Sequence, residues 1–182
     1  IVEKEGQALQ VRLFVRADAP ERIIAGQKMA AALAEAGFAV EVVPSDFESV
    51  IAAKMRPPYD YEALLMQWRN LGTDPDLFYL FHSSQTWQGE EDERENLYNF
   101  VGYRSEQADR LLIDGRQTYD PEERTEIYQD LQRVLAEELP YYLLWGDPIY
   151  LAADARLTTD AGPINIATPY LFWNVEEWYW EE

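Results

Sequence analysis

Trp68, Arg69 and Asn70 are the residues of this chain best suited to chemistry, because they follow directly on an apolar run at residues 61–67. That run reads as a β-strand, and the chain then passes Gly72 and reaches Asp74-Pro75-Asp76. Open α/β sheets bind ligands at the carboxyl ends of their strands. An indole offers area and stacking, a guanidinium offers a fork of N–H donors, and an amide both gives and accepts hydrogen bonds. Such groups suit recognition better than bond-breaking. The expectation is a binding protein that performs no reaction and needs no cofactor.

The remaining polar candidates each carry a plain structural alternative. Asp74 precedes a proline and reads as the N-cap of a helix, which leaves Asp76 exposed to solvent. Asn99, in the segment NFVGY, could hydrogen-bond a ligand or satisfy a turn, and the turn is favoured. Tyr98 and Tyr103 beside it read as packing residues. His82 is the only histidine and cysteine is absent, so this chain alone cannot build a usual zinc or nickel site, and His82 reads as a satisfied helix-end residue. The acidic run at 88–95 lacks the ordered oxygen spacing of a calcium loop and reads as solvated. There is no G-x-S-x-G, no phosphate-loop glycine pattern and no H-E-x-x-H. With 34 acidic residues, carboxylate pairs are inevitable and say nothing about glycoside hydrolysis.

The elements that position these residues follow from local signals. Residues 9–15 alternate as a strand, and Pro20 opens a helix to about Ala36 with Ile23, Ile24, Met29, Ala30 and Leu33 near one face. Gly37 stops it, and residues 38–43 form a second strand. The spacing Ser45-x-x-Glu48 predicts a capping box for a short helix to about Lys54, closed by Pro57-Pro58. With 61–67 this gives β-α-β-α-β, hence a parallel sheet. Ser105 caps a helix to about Gln117 with Ala108, Leu111 and Leu112 inward. Asp120-Pro121 starts another to about Glu138, with Ile127, Leu131, Val134 and Leu135 on one stripe, and Pro140 closes it. Residues 141–145 and 149–153 read as strands.

Composition bounds the class. The 182 residues fit one domain, and 47% hydrophobic content can build a core. A net charge of −19 repels phosphate backbones and anionic lipid, which excludes nucleic acid as a partner. No run reaches the 18 or so apolar residues of a membrane span. The start at Ile1 suggests a piece of something longer.

Several segments, in order, resemble the C-terminal lobe of family 5 extracellular solute-binding proteins, the dipeptide-, oligopeptide- and nickel-binding components of ABC importers. They are ERIIAGQKMAAALAEAGFAVEVV; the pattern of Tyr59, Asp60, Trp68, Asp74, Pro75, Asp76 and Phe78; NFVGYRSEQADRLL; DPEERTEIYQDLQRVLAEELPYYLL; and the tail FWNVEEWYW. The resemblance implies an α/β lobe of a type II periplasmic-binding-protein-like receptor. Residues 1–182 would form that single lobe, with a body at about 7–158 and an aromatic segment at 159–182 returning toward a missing N-terminal lobe. It implies a solute, most simply an oligopeptide, held between two lobes and delivered to a membrane permease. The receptor would work in the periplasm, or outside the cell on a lipid anchor. Trp68 would line the cleft, with Arg69, Asn70, Asp74 and Asn99 as further candidates. Arg16 would hold a ligand carboxylate through its fork of donors. Leu71 is the departure, because peptide-binding members carry Asp there and a leucine cannot pair with an ammonium. An oligosaccharide or metal chelate therefore stays open as the ligand. The rival class is a stand-alone interaction domain that docks a protein through its aromatic tail.

Overall fold

Apolar residues on both faces make residues 10–16 a central strand, as continuous burial in a parallel sheet requires. β1 (Gln10–Arg16) starts exposed and buries Leu13, Phe14 and Val15. The computed structural model describes residues 3–4, 7–68, 74–94, 97–146, 153–154, 156–164, 172 and 174–181. β2 (Ala39–Ser45) runs parallel to β1 along its whole length, from Gln10 opposite Ala39 to Arg16 opposite Ser45. β3 (Ala63–Leu65) runs parallel on the other side, with Val15 opposite Leu65. The order is β2-β1-β3. β3 is shorter than the expected 61–67. Its flanks engage side chains instead of the ladder: the Tyr61 hydroxyl donates to the Phe100 carbonyl at 2.9 Å, and Gln67 accepts from Arg22.

α1 (Pro20–Glu35) covers the sheet. It comes close to the sheet at Gly26, where an added Cβ would stand 3.3 Å from Val42 and 3.4 Å from both Leu13 and Val15. That contact sets the rotation of the helix. The line facing the sheet therefore runs through Arg22, Ile23 and Gly26, and the expected face is corrected: Ile24 and Leu33 are exposed. The expected capping box at Ser45 is also corrected. Ser45 finishes β2, and Asp46 is the cap, accepting from the Ser49 amide at 2.9 Å and hydroxyl at 2.6 Å. A π-turn at Phe47–Ile51 and one α-turn at Ala52–Lys54 follow.

A second core is helical. α2 (Phe78–Phe81), α3 (Glu106–Gln117) and α4 (Pro121–Glu138) enclose Leu80, Phe81, Ala108, Leu112, Tyr128, Leu131 and Val134. Ser105 caps α3 through the Ala108 amide, and Asp120 caps α4 through the Glu122 and Glu123 amides, as expected. Tyr128 rather than Ile127 sits at the centre of the α4 stripe, because Gly115 leaves room for its ring.

Residues 141–145 are not a strand, which corrects that expectation. Tyr141 turns into the helical core edge-on to Phe81, at 5.3 Å between ring centroids, and Tyr142, Leu143, Leu144 and Trp145 are exposed. The expected strand at 149–153 lies outside the described residues except for Ala153, which is not in a strand. β4 (Leu157–Thr159) pairs antiparallel with β5 (Gly162–Pro163) and β6 (Tyr179–Trp180), Leu157 facing Trp180. Among the described residues no helix is long and apolar enough to cross a membrane.

Candidate functional site

Three parallel strands bring their carboxyl ends to one edge. Arg16 closes β1 opposite Ser45 of β2, and Trp68 stands three residues beyond Leu65, the end of β3. Trp68 is half-buried where the sheet meets the helical core. Its ring stacks on Phe100 at 5.8 Å and 26°, and meets Tyr98 edge-on at 6.4 Å. Tyr98 was expected to pack and is instead exposed. The alternation in this segment explains it: Leu97 and Asn99 turn in, so Tyr98 turns out beside the indole. Two aromatic residues thus stand together near the sheet edge, one anchored and one free to meet a ligand.

Arg16 is exposed enough to be reached, but it has an internal partner. Its Nε and Nη2 donate to the two oxygens of Asp18 at 2.8 and 2.5 Å, and the guanidinium lies 5.0 Å over the Phe47 ring. That fork holds the Asp18 carboxyl below its ordinary range. A ligand carboxylate would have to take the place of Asp18 or share the fork. Arg69 and Asn70, like Leu71, lie outside the described residues.

Neither Asp74 nor Asp76 takes its expected role. Asp74 accepts from the Asp76 amide at 2.9 Å and from Arg124 of α4 at 2.8 Å, and the guanidinium holds its carboxyl below the ordinary range. It does not cap α2. Asp76 accepts from the Phe78 amide at 3.1 Å and pairs with Arg116, whose guanidinium lies 3.9 Å over the Phe78 ring, so it is not a free surface carboxylate. Both carboxylates tie the segment before α2 to the helices.

Asn99 is 0% exposed. Its amide donates to the carbonyls of His82 (3.2 Å) and Tyr103 (2.9 Å) and accepts from the Tyr103 amide at 3.0 Å. Those bonds occupy the side chain with backbone and leave it no face for a ligand. The turn role holds, and Asn99 leaves the set of candidate contacts. His82 stacks on Phe78 at 4.1 Å with Nδ1 at 2.8 Å from the Ser84 hydroxyl, while its buried Nε2 has no partner among the described residues. It is only half the satisfied histidine expected. In the acidic run, Asp92 is not solvated: it accepts from the Gln88 amide and from Arg94, which holds its carboxyl far below the ordinary range. No group of three metal-ligating side chains occurs among the described residues.

One residue at this edge escaped the sequence reading. Arg22, in the first turn of α1, is 7% exposed and donates from Nη2 to the Gln67 side chain. In the sequence it sits among Pro20, Glu21, Ile23 and Ile24 and looks like an ordinary surface arginine; no local pattern marks it. An open depression of about 410 Å³ lies at the other end of the sheet, lined by Gln10, Arg12, Val40, Glu41 and Glu62. It has no aromatic residue to anchor a solute.

No protein-family model matches the chain. Over 110 residues, 60% of the chain, it is 31% identical to the oligopeptide-binding protein AppA of Bacillus subtilis strain 168, covering 19% of that protein. The solved structure of Bacillus subtilis AppA in complex with a nonapeptide matches all of the chain at a TM-score of 0.69 and 24% identity. The fold is that of a periplasmic-binding-protein-like lobe. NikZ of Campylobacter jejuni in complex with Ni(L-His) matches 97% of the chain at a TM-score of 0.67 and 23% identity. The ABC transporter-associated periplasmic binding protein DppA of Helicobacter pylori, in complex with the peptide STSA, matches 75% at 0.61 and 19%. The likeness to family 5 solute-binding proteins expected from the sequence is borne out. The chain spans 34% of the AppA and NikZ structures, about a third of their length.

Proposed function

We propose that this chain is one lobe of a family 5 solute-binding protein that captures an oligopeptide outside the cytoplasmic membrane for an ABC importer. The observation that carries the reading is the pairing of fold and edge: a lobe matching the AppA–nonapeptide structure, with Trp68 and Arg16 on the carboxyl edge of its sheet. The indole would stack on the ligand and the guanidinium would meet a carboxylate. The ligand would lie between this lobe and a second one. Its differential affinity would shift a hinge equilibrium toward a closed form, which a membrane permease would read. No bond in the ligand is made or broken. A lipid anchor upstream would hold the receptor at the membrane.

The exposed side chains of Tyr142, Leu143, Phe172 and Trp180 support a second body that covers them, because exposed aromatic area is costly alone. Arg69 and Asn70 remain proposed contacts on the strength of their place beside Trp68. Asp74, already engaged by Arg124, is proposed as a structural tie rather than a contact.

A metal chelate is the second reading. Leu71 stands where peptide-binding members carry Asp, and NikZ was solved with Ni(L-His). Native mass spectrometry of the full-length protein, purified without denaturation, separates the two. A ladder of co-purified peptide masses, lost on unfolding, supports the peptide reading. A single metal-chelate mass replaces it with the second. An empty protein that also fails to take up added nonapeptides contradicts the proposal.

A further inference from the structure

The tight turn between β1 and α1 sets an arginine fork and a carboxylate side by side. The Ala17 amide donates to the Ser45 carbonyl at 2.9 Å, and the Ala19 amide closes the turn on the Arg16 carbonyl at 3.3 Å. Arg16 is the anchored half of the pair. Its main chain belongs to the β1 ladder opposite Ser45, and its guanidinium lies 5.0 Å over the Phe47 ring. Asp18 is the movable half, in the turn outside any strand or helix and with its side chain 66% exposed.

This turn is built to hold one negative charge. Nε and Nη2 of Arg16 form the planar fork that matches a carboxylate, and they meet both Asp18 oxygens, at 2.8 and 2.5 Å. Arg22 adds a weaker pull on the same carboxyl. The first turn of α1 presents the positive end of its dipole, and Ala19 at the N-cap brings no side chain to satisfy it. Asp18 is the anion that takes this place. A second anion beside it is disfavoured, because Asp46 and Glu48 also act on the Arg16 guanidinium. A ligand carboxylate added to these would be the fourth around one fork, and like charges at short range repel. A ligand carboxylate that replaces Asp18 leaves the charge unchanged. Exposed ion pairs contribute little to stability, so releasing Asp18 costs the fold little.

We propose that Asp18 is a specificity-determining residue: it fills the Arg16 fork as an internal stand-in for a ligand carboxylate and swings out when a peptide carboxylate binds. The inference rests on Arg16 being a ligand contact. The displacement lowers the affinity for every ligand that uses the fork and leaves ligands without a carboxylate untouched. Asp18 therefore narrows the advantage that Arg16 gives to carboxylate-bearing peptides.

The test is calorimetric titration of the full-length protein with equimolar pools of synthetic nonapeptides, with melting temperatures measured alongside. One pool has free carboxyl termini and no acidic side chain, a second is the same pool amidated, and a third is amidated with one glutamate side chain per peptide. The parent should bind a carboxylate-bearing pool more tightly than the plain amidated one, and Arg16→Met should erase that difference. Asp18→Asn keeps the shape and removes the charge. It should tighten binding of the carboxylate pool by about fivefold and change the plain amidated pool by less than about twofold. In the Arg16→Met background it should change neither by more than about twofold, because its effect passes through the fork. Whether the first or the third pool responds tells if the carboxylate comes from a chain terminus or a side chain. An equal gain for all pools would mean that Asp18 acts through overall charge alone, and a loss would mean that it holds Arg16 in place; either overturns the inference. If the parent binds nonapeptides but does not distinguish the pools, or Arg16→Met leaves the distinction intact, the inference falls while the peptide receptor stands. If the parent binds no nonapeptide, the proposed function falls and takes this inference with it. Should Asp18→Asn fail to fold, Asp18→Ser, which also removes the charge, decides the outcome by the same criteria.

Discussion

Gly115→Ala measures how tightly α3 and α4 are pressed together. A Cβ built on Gly115 would stand 2.8 Å from Cζ of Tyr128 and 3.0 Å from its Cε2 and hydroxyl oxygen. Carbon atoms prefer about 3.5–4.0 Å, so the shortfall is roughly 0.7 Å or more. The ring cannot easily move away. It is 5% exposed, and Arg124 lies 4.9 Å over its face and donates to its hydroxyl at 3.4 Å. Overpacking of this kind costs about 1–3 kcal/mol, while alanine in place of glycine inside a helix returns about 1 kcal/mol. The expected net loss is up to about 2 kcal/mol, or several degrees of melting temperature for a chain this size. Urea unfolding followed by tryptophan fluorescence gives the number, with the slope unchanged if only the folded state is affected. In a Tyr128→Leu background the clash disappears, and Gly115→Ala should then stabilise by about 1 kcal/mol. A gain of that size in the parent background would refute the close contact.

Three further outcomes follow from the pairings described above. Asn99→Ala should cost over about 2 kcal/mol by chemical denaturation, because it strips partners from the carbonyls of His82 and Tyr103 and the Tyr103 amide. Asp74→Ala should leave ligand affinity unchanged by calorimetry and cost under about 1 kcal/mol, as exposed ion pairs do. Since Arg124 lowers the Asp74 carboxyl in the folded protein, its contribution is fully present above the ordinary carboxylate range and is lost as pH falls from that range down through the lowered value. Tyr103 has the opposite sign: burial, with the Glu138 carboxylate accepting from its hydroxyl at 2.5 Å, pushes the phenol up to about 12. Its contribution is complete below about pH 10 and is lost between about pH 10 and 12, so Tyr103→Phe should flatten the alkaline decline in melting temperature over that window.

The helices and their order were legible because their signals are local. Ser105 and Asp120 cap α3 and α4 with their own neighbours' amides, and Pro20 and Gly37 bracket α1 in the same short-range way. The parallel sheet followed from the order of elements, and Trp68 from its place after a strand. What stayed hidden depends on distant partners. Asp74 and Asp76 looked like a cap and a spare carboxylate until Arg124 and Arg116, 50 and 40 residues away, claimed them. Arg22 meets Gln67 only once the sheet has formed. Ser45 and Asp46 both fit a cap by type, and the register of β2, which holds Ser45 opposite Arg16, decides between them. Residues 141–145 have the composition of a strand, but Tyr141 turns into the helical core and residues 142–145 are not in a strand.

Hydrogen–deuterium exchange on the full-length protein, with and without the free-carboxyl nonapeptide pool, tests the location of the site directly. Ligand should slow exchange in the segments that end β1 and β3, around Arg16 to Arg22 and Met66 to Trp68. The opposite end of the sheet, around Gln10 to Arg12 and Glu41, should exchange as before. Protection confined to that opposite end, with none at Trp68, would contradict a binding site on the carboxyl edge.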